Sequence, residues 1–236
     1  MSVANPPITK RASTGPPNDC IVVIFAKAPI PGRCKTRLAK SVGSRRAAHV
    51  YRAMLEHAVA TMSAQAPGRV ILACAPDTRH PLFVRLARRY RVQRYRQVRG
   101  DLGTRMAAGI RLGRRHARHV VLMGSDQPAL DGDWLRQARR ALGQDDRGAW
   151  LAPTTDGGYW AIGLSHAPTR IFRGPCWSTP RVISTTRTAM NRLGLVRAEL
   201  VARNDIDELR DWQCLDRELR RCLSRHATMP GHAGFD

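Results

Sequence analysis

Cys20-Ile-Val-Val-Ile-Phe-Ala26 runs directly into Lys27-Ala-Pro-Ile-Pro-Gly-Arg-Cys-Lys-Thr-Arg37. Seven uncharged residues rich in valine and isoleucine, ended by a proline- and glycine-containing segment, read as a strand covered on both faces. Such strands belong to parallel sheets flanked by helices. A helix is predicted next over 44–64, begun by Ser44, with Ala47, Val50, Tyr51, Met54 and Ala58 at helical spacing. The alternation continues: strands over 69–75, 92–98, 119–123, 149–152, 159–164 and 196–202, and helices over 79–90, 104–116, 133–142, 179–193 and 206–223. Strand–helix alternation of this kind predicts an α/β, Rossmann-like three-layer fold, with a mostly parallel sheet and helices on both faces.

Size and composition bound the rest. A chain of 236 residues suits one large α/β domain, expected over 20–224. Residues 1–19 and 225–236 read as a disordered leader and tail. The leader has no apolar core of the secretory kind, and no apolar run reaches membrane-spanning length, so a cytoplasmic enzyme without membrane contact is expected. Six cysteines occur without a C-x-x-C pair, which argues against zinc and dithiol chemistry. The formal charge of +22 comes from 36 arginines and only four lysines, spread along the chain. Arg88-Arg89, Arg114-Arg115 and Arg139-Arg140 fall on predicted helices, where solvated faces account for them. A non-enzymatic basic nucleic-acid binder is therefore the weaker reading, since no interleaved aromatic-basic surface accompanies the charge.

Function is written in the segments after the strands, because ligands of open α/β sheets bind outside the carboxyl ends of strands. Segments 27–37, 124–128 and 153–158 all occupy that position and are predicted to converge. In the first, Gly32 lets backbone approach an anion, and Arg33, Lys35 and Arg37 surround it with charge. This suits a di- or triphosphate, although the spacing is not that of a Walker A loop; a basic surface turn is the alternative. In the second, an apolar strand ends at Gly124-Ser-Asp126. A carboxylate there would hold Mg²⁺ or Mn²⁺ against phosphate oxygens, or would merely cap the turn. In the third, Thr155-Asp156-Gly157-Gly158 is either a hairpin turn or a contact for an acceptor or metal. Asp205 reads as a helix cap. Asp207 is either a second metal ligand or an acidic residue favouring a helix dipole. Trp177 is either core or a cover over the acceptor, and Ser178 or Thr179 a helix cap.

Taken in order, Phe25-Ala-Lys-Ala-Pro-Ile-Pro-Gly-Arg-Cys-Lys-Thr-Arg-Leu38, Gly100-Asp-Leu-Gly-Thr-Arg-Met106, Gly124-Ser-Asp-Gln-Pro128, Thr155-Asp-Gly-Gly-Tyr159, Trp177-Ser-Thr-Pro180 and Asp205-Ile-Asp207 resemble a family of bacterial GT-A-type, nucleotide-diphospho-sugar transferase-like proteins. The family includes arsenosugar-associated glycosyltransferases. The resemblance spans about residues 20–212 and extends distantly to 2-phospho-lactate and molybdenum-cofactor guanylyltransferases. It implies a GT-A fold and a nucleotide or nucleotide-sugar donor with a small-molecule acceptor. Lys27, Gly32, Arg33, Lys35 and Arg37 would bind phosphates, and Gly103 would lie near the nucleoside. Asp126 would hold the metal and, with Lys35, form the catalytic pair. Thr155, Asp156, Gly157, Gly158 and Trp177 would lie near the acceptor. Two positions depart from the family: Gln127 replaces a cysteine, and Glu208-Leu209 replaces Thr-Pro, which weakens Asp207 as a ligand. Glycosyl transfer is the expected activity, with nucleotidyl transfer from an NTP to a phosphorylated acceptor as its rival.

Overall fold

The computed structural model describes residues 19–128, 130, 132–166, 168–215, 221 and 223. The expected leader, apart from Asp19, the tail 225–236 and most of the last predicted helix beyond 215 lie outside the described residues. In chain order the elements are β1 (Cys20–Lys27), α1 (Thr36–Val42), α2 (Ser44–Gln65), β2 (Val70–Ala75), α3 (Pro81–Tyr90), β3 (Gln93–Arg96), α4 (Leu102–Arg114), β4 (His119–Met123), α5 (Gly132–Gly143), β5 (Gly148–Pro153), β6 (Tyr159–Leu164), a 3₁₀ turn at Thr169–Phe172, α6 (Val182–Arg192), β7 (Val196–Glu199) and α7 (Leu209–Gln213).

All seven strands join one sheet, ordered β3-β2-β1-β4-β6-β5-β7. β1 pairs in parallel with β2 and β4, β2 with β3, and β5 with β7. β6 is antiparallel to both β4 and β5, so six strands point one way and β6 alone points back. The carboxyl ends of those six, and the amino end of β6, therefore share one edge. Alternating residues of β1 explain the three layers. Val22, Ile24 and Ala26 pack with Leu55, Ala58 and Val59 of α2, with Phe83 and Leu86 of α3, and with Trp134 and Ala138 of α5. Ile21 and Val23 face the other way, onto Met106 and Ile110 of α4 and Ile183 and Met190 of α6. Trp134, Trp150 and Trp160 fill the first layer, with ring centroids 5.0–6.3 Å apart. No helix among the described residues is long and apolar enough to cross a membrane.

Two elements escaped the sequence pattern. α1 starts after Lys35, which gives no side-chain cap, and has no acidic residue in its first turn, so the usual start signals are missing. The 3₁₀ turn is four residues long, too short to show a period. The helix predicted over 179–193 begins only at Val182. Ser178 and Thr179 do not cap it: its N-cap is Arg181, without a side-chain bond, and Thr179 Oγ1 donates to the Cys176 carbonyl instead, at 2.7 Å.

Candidate functional site

The three expected segments meet at the common sheet edge, and the loop after β7 joins them there. The segment after β1 opens with a turn in which the Arg33 N–H donates to the Ile30 carbonyl at 2.9 Å. Pro31 and Gly32 are its central residues, and Gly32 has φ 77°, the sequence and sign of a type II turn. Lys35 follows with φ 46° and ψ 48°. That left-handed step turns its side chain inward, to 3% exposure, where Nζ donates to Asp126 Oδ2 at 3.0 Å and to Asp207 Oδ1 at 2.9 Å. Burial works against the ammonium, but Asp126 and then Asp207 outweigh it and hold the Lys35 pKa above its ordinary value. Arg37, 70% exposed, reaches Asp207 Oδ2 from outside at 3.5 Å.

Asp126 is placed by β4, which it follows, and by a buried relay from α2. The Lys27 N–H donates to the Tyr51 phenol at 2.8 Å. The phenol oxygen is 2.9 Å from Ser125 Oγ. Because the phenol already accepts from Lys27, its own proton is available to Ser125, whose hydroxyl lies 3.5 Å from Asp126 Oδ1. Burial, with the Asp126 charge adding to it, raises the Tyr51 pKa and keeps the phenol neutral. Tyr51 thus ties the start of the basic loop to the end of β4. Tyr51→Phe removes this oxygen and strands the Lys27 N–H and Ser125 in a buried place. A loss of about 1–3 kcal/mol is expected, read as a lower melting temperature; an unchanged melting curve would show that the relay holds nothing.

The loop after β7 brings the residue whose burial the sequence concealed. Ile206 is buried with Leu38, Ala47, Val50 and Met54, which anchors the loop between Asp205 and Asp207. Asp205 is half-buried, and its Oδ1 is sealed from solvent with no hydrogen-bond partner. Its carboxyl pKa is raised to about 7 by burial first and by Asp126 next; Lys35 lowers it, while Asp207 and Asp156 add to the rise. Neither expectation based on the helix survives. The N-cap of α7 is Glu208, so Asp205 does not cap it and Asp207 precedes its first turn. Gln127, the residue that departs from the family, donates Nε2 to the Asn204 carbonyl at 3.3 Å and ties the β4 loop to this one.

The segment after β5 is one of the two things the sequence allowed, a hairpin into β6. Asp156 Oδ1 accepts from Thr154 Oγ1 at 2.5 Å and from the Gly158 N–H at 3.2 Å. Gly157 has φ 88°, and a Cβ there would lie 2.2 Å from the Pro180 carbonyl oxygen. The Ile183 N–H donates to the Gly157 carbonyl at 2.9 Å, which docks the hairpin on the start of α6. Thr155 is exposed, with its hydroxyl on Asn204 Oδ1.

A cleft of about 590 Å³ is lined by Lys27, Arg33, Lys35, Arg37, Asp126, Asp205 and Asp207, among others. A second hollow of about 400 Å³ adjoins it through Arg37, Asp205 and Asp207, and adds Asp156, Gly158 and Trp177. A third, of about 440 Å³, adds Thr155. This volume is in the range of small-molecule sites. Three expected residues, Gly32, Gly103 and Gly157, stand back from the walls. Gly103, expected beside the nucleoside, packs instead so closely that a Cβ would meet the Phe172 carbonyl at 2.5 Å and the Trp177 indole at 2.7 Å; Leu102, Arg105 and Met106 of the same helix line the cleft in its place. Gly32 is exposed in its turn with open space around it, and the lining begins at Arg33. Trp177 packs on the α4 layer and also lines the second hollow. Asp205, Tyr51 and Arg105 were not foreseen as site residues.

A family model described as "Uncharacterized protein conserved in bacteria (DUF2064)" matches residues 58–179, just over half of the chain. A protein of Desulfovibrio desulfuricans G20, provisionally named a nucleotide-diphospho-sugar transferase, is 27% identical in sequence; the match covers 88% of this chain and 94% of that one, with a TM-score of 0.77. A cytidylyltransferase of Leptospira borgpetersenii is 15% identical over 88% and 87% of the two chains, with a TM-score of 0.55. The 4-diphosphocytidyl-2C-methyl-D-erythritol synthase of Anaerococcus prevotii is 10% identical over 88% and 100%, also at 0.55. These last two show a shared fold. No curated protein matches the chain.

Proposed function

The chain belongs to the DUF2064 family of bacterial proteins, and on that premise we propose that it is a metal-dependent transferase that moves a glycosyl group from a nucleotide sugar to a small hydroxylated acceptor. The observation that carries this reading is the polarity of the cleft. In its first part the cations Lys27, Arg33, Lys35, Arg37 and Arg105 outnumber the carboxylates Asp126, Asp205 and Asp207, a net positive lining suited to a diphosphate. The adjoining hollow holds Asp156, Asp205 and Asp207 with Arg37 as its one cation and Trp177 as an aromatic wall. Carboxylates there would repel a phosphorylated acceptor and accept hydrogen bonds from a hydroxylated one. That distinction favours glycosyl over nucleotidyl transfer. The name of the Desulfovibrio protein, 27% identical, supports the same choice.

The residues present fit a divalent cation. Asp126 and Asp207 already direct oxygens at one positive centre, and Asp205 Oδ1 is a buried donor with no partner. Hard oxygen donors of this kind suit Mg²⁺ or Mn²⁺, and the ion would neutralise charge on the leaving diphosphate. Among the described residues no three His, Cys, Asp or Glu side chains stand in an array already spaced for a metal, in keeping with the ammonium that separates these oxygens. Around that centre Arg33 and Arg37 would bind phosphate, Asp156 would accept the acceptor hydroxyl, and Trp177 would exclude water from its face.

The test is a screen of nucleotides and nucleotide sugars with Mg²⁺ or Mn²⁺. Release of a nucleoside diphosphate is the expected product. Release of pyrophosphate from an NTP would instead establish nucleotidyl transfer and overturn the acceptor assignment.

A further inference from the structure

Lys35 is paired with the carboxylates proposed to hold the metal. Its Nζ lies between Asp126 Oδ2 and Asp207 Oδ1, at 3.0 and 2.9 Å, and the side chain is 3% exposed. The backbone holds it there in the left-handed region, at φ 46° and ψ 48°, a conformation unfavourable for a residue with a Cβ. Its basic neighbours Arg33 and Arg37 are exposed at the rim of the cleft. Four carboxylates, Asp126, Asp156, Asp205 and Asp207, interact at this place, and without an internal cation their charges would repel one another across a partly buried cleft.

Resting on the transferase reading above, we propose that Lys35 is the resident cation of the nucleotide-free site: its ammonium occupies the place between Asp126 and Asp207 that a divalent metal takes, and it turns to the donor phosphates when the metal arrives. Metal and Lys35 compete for the same two carboxylates. The donor offers the displaced ammonium a new anionic partner, so donor and metal strengthen each other's binding by the same factor. The free protein accordingly holds metal weakly and the donor-loaded protein holds it tightly.

The experiment is a titration of Mn²⁺ into nucleotide-free protein, followed by the electron paramagnetic resonance signal of the free ion. Lys35→Asn removes the ammonium with a residue that tolerates left-handed backbone, and Lys35→Met keeps the length of the stem; melting curves confirm that each is folded. Both are expected to bind Mn²⁺ about tenfold or more tightly than wild type, since two ion pairs no longer oppose it. Adding Asp126→Asn to either should abolish the gain. Arg45→Gln removes an equal charge from the exposed start of α2, outside all three hollows, and is expected to change affinity less than about threefold. Equal gains from Arg45→Gln and the Lys35 variants would reduce the effect to general charge and overturn the proposal. Wild-type affinity in both Lys35 variants, with weakened binding in Asp126→Asn alone, would also overturn it while leaving the metal site standing. Absence of saturable Mn²⁺ binding in every protein, with or without a nucleotide sugar, would remove both this proposal and the metal assignment.

Discussion

Asp126→Asn is expected to lower turnover about 100-fold or more while leaving the fold intact, because it removes a carboxylate from the proposed metal and phosphate centre. The change is small in structural terms. The Asp126 side chain is 42% exposed, it follows β4 rather than lying within it, and Lys35 keeps its bond to Asp207. Turnover is measured at a fixed Mg²⁺ or Mn²⁺ concentration with the donor found in the product screen. The same variant separates enzyme from basic binder. A donor held in the cleft at about 100 times its dissociation constant adds roughly 2.7 kcal/mol, or about 5–11 °C in melting temperature for a chain of this size. That shift should need the metal and largely vanish in Asp126→Asn. Heparin or DNA held by arginines would act without metal, survive the substitution and weaken steeply with salt. Wild-type turnover in Asp126→Asn would take this residue out of the chemistry.

The parts of the site legible in the sequence are those where local pattern and position coincide. β1 and β4 are apolar runs because both faces are covered, and Lys35 and Asp126 stand out because each follows such a run at the carboxyl edge. The reversal of β6 was legible only in its turn: a strand buried on both faces has the same composition in either direction, and the short Asp156-Gly157-Gly158 segment, with no room for a crossover helix, sets Tyr159–Leu164 antiparallel. Tyr51 was legible as a core position of α2, but its phenol meets Lys27 and Ser125, 24 and 74 residues away, and no local spacing encodes that. Gly103 carried the opposite lesson. The family resemblance placed it near the nucleoside, and its tightest packing is against the Phe172 carbonyl and Trp177. Asp205 read as a cap because Asp-Ile-Asp-Glu precedes a helical pattern. The burial of Ile206 against α1 and α2 decides otherwise: it anchors the loop, and Asp205 and Asp207 on either side of it both line the cleft.

Asp205→Asn is expected to make the metal-free protein more stable, and only above acid pH. The folded-state pKa of Asp205 is raised from 3.8 to about 7, chiefly by burial and then by Asp126. Below about pH 4 the folded and unfolded chains both hold the proton, and the carboxyl costs nothing. Between 3.8 and about 7 the unfolded chain releases the proton while the folded one retains it, so stability falls as pH rises. Above about 7 both are ionised and the full cost remains. The rise from 3.8 to about 7 corresponds to an upper limit of about 4 kcal/mol. Asparagine has nearly the same shape without the charge, so at pH 8 the variant should melt about 5–15 °C above wild type for a gain of roughly 2–4 kcal/mol, and the two curves should approach each other near pH 4. Saturating Mg²⁺ should reverse the order, because an ion that needs the Asp205 carboxylate stabilises wild type and not the variant. A difference between the two proteins that stays constant from pH 4 to 8 would show that Asp205 is not a buried, ionisable member of the cluster. A pH-dependent difference that Mg²⁺ leaves untouched would keep the buried acid and remove it from the metal's ligands.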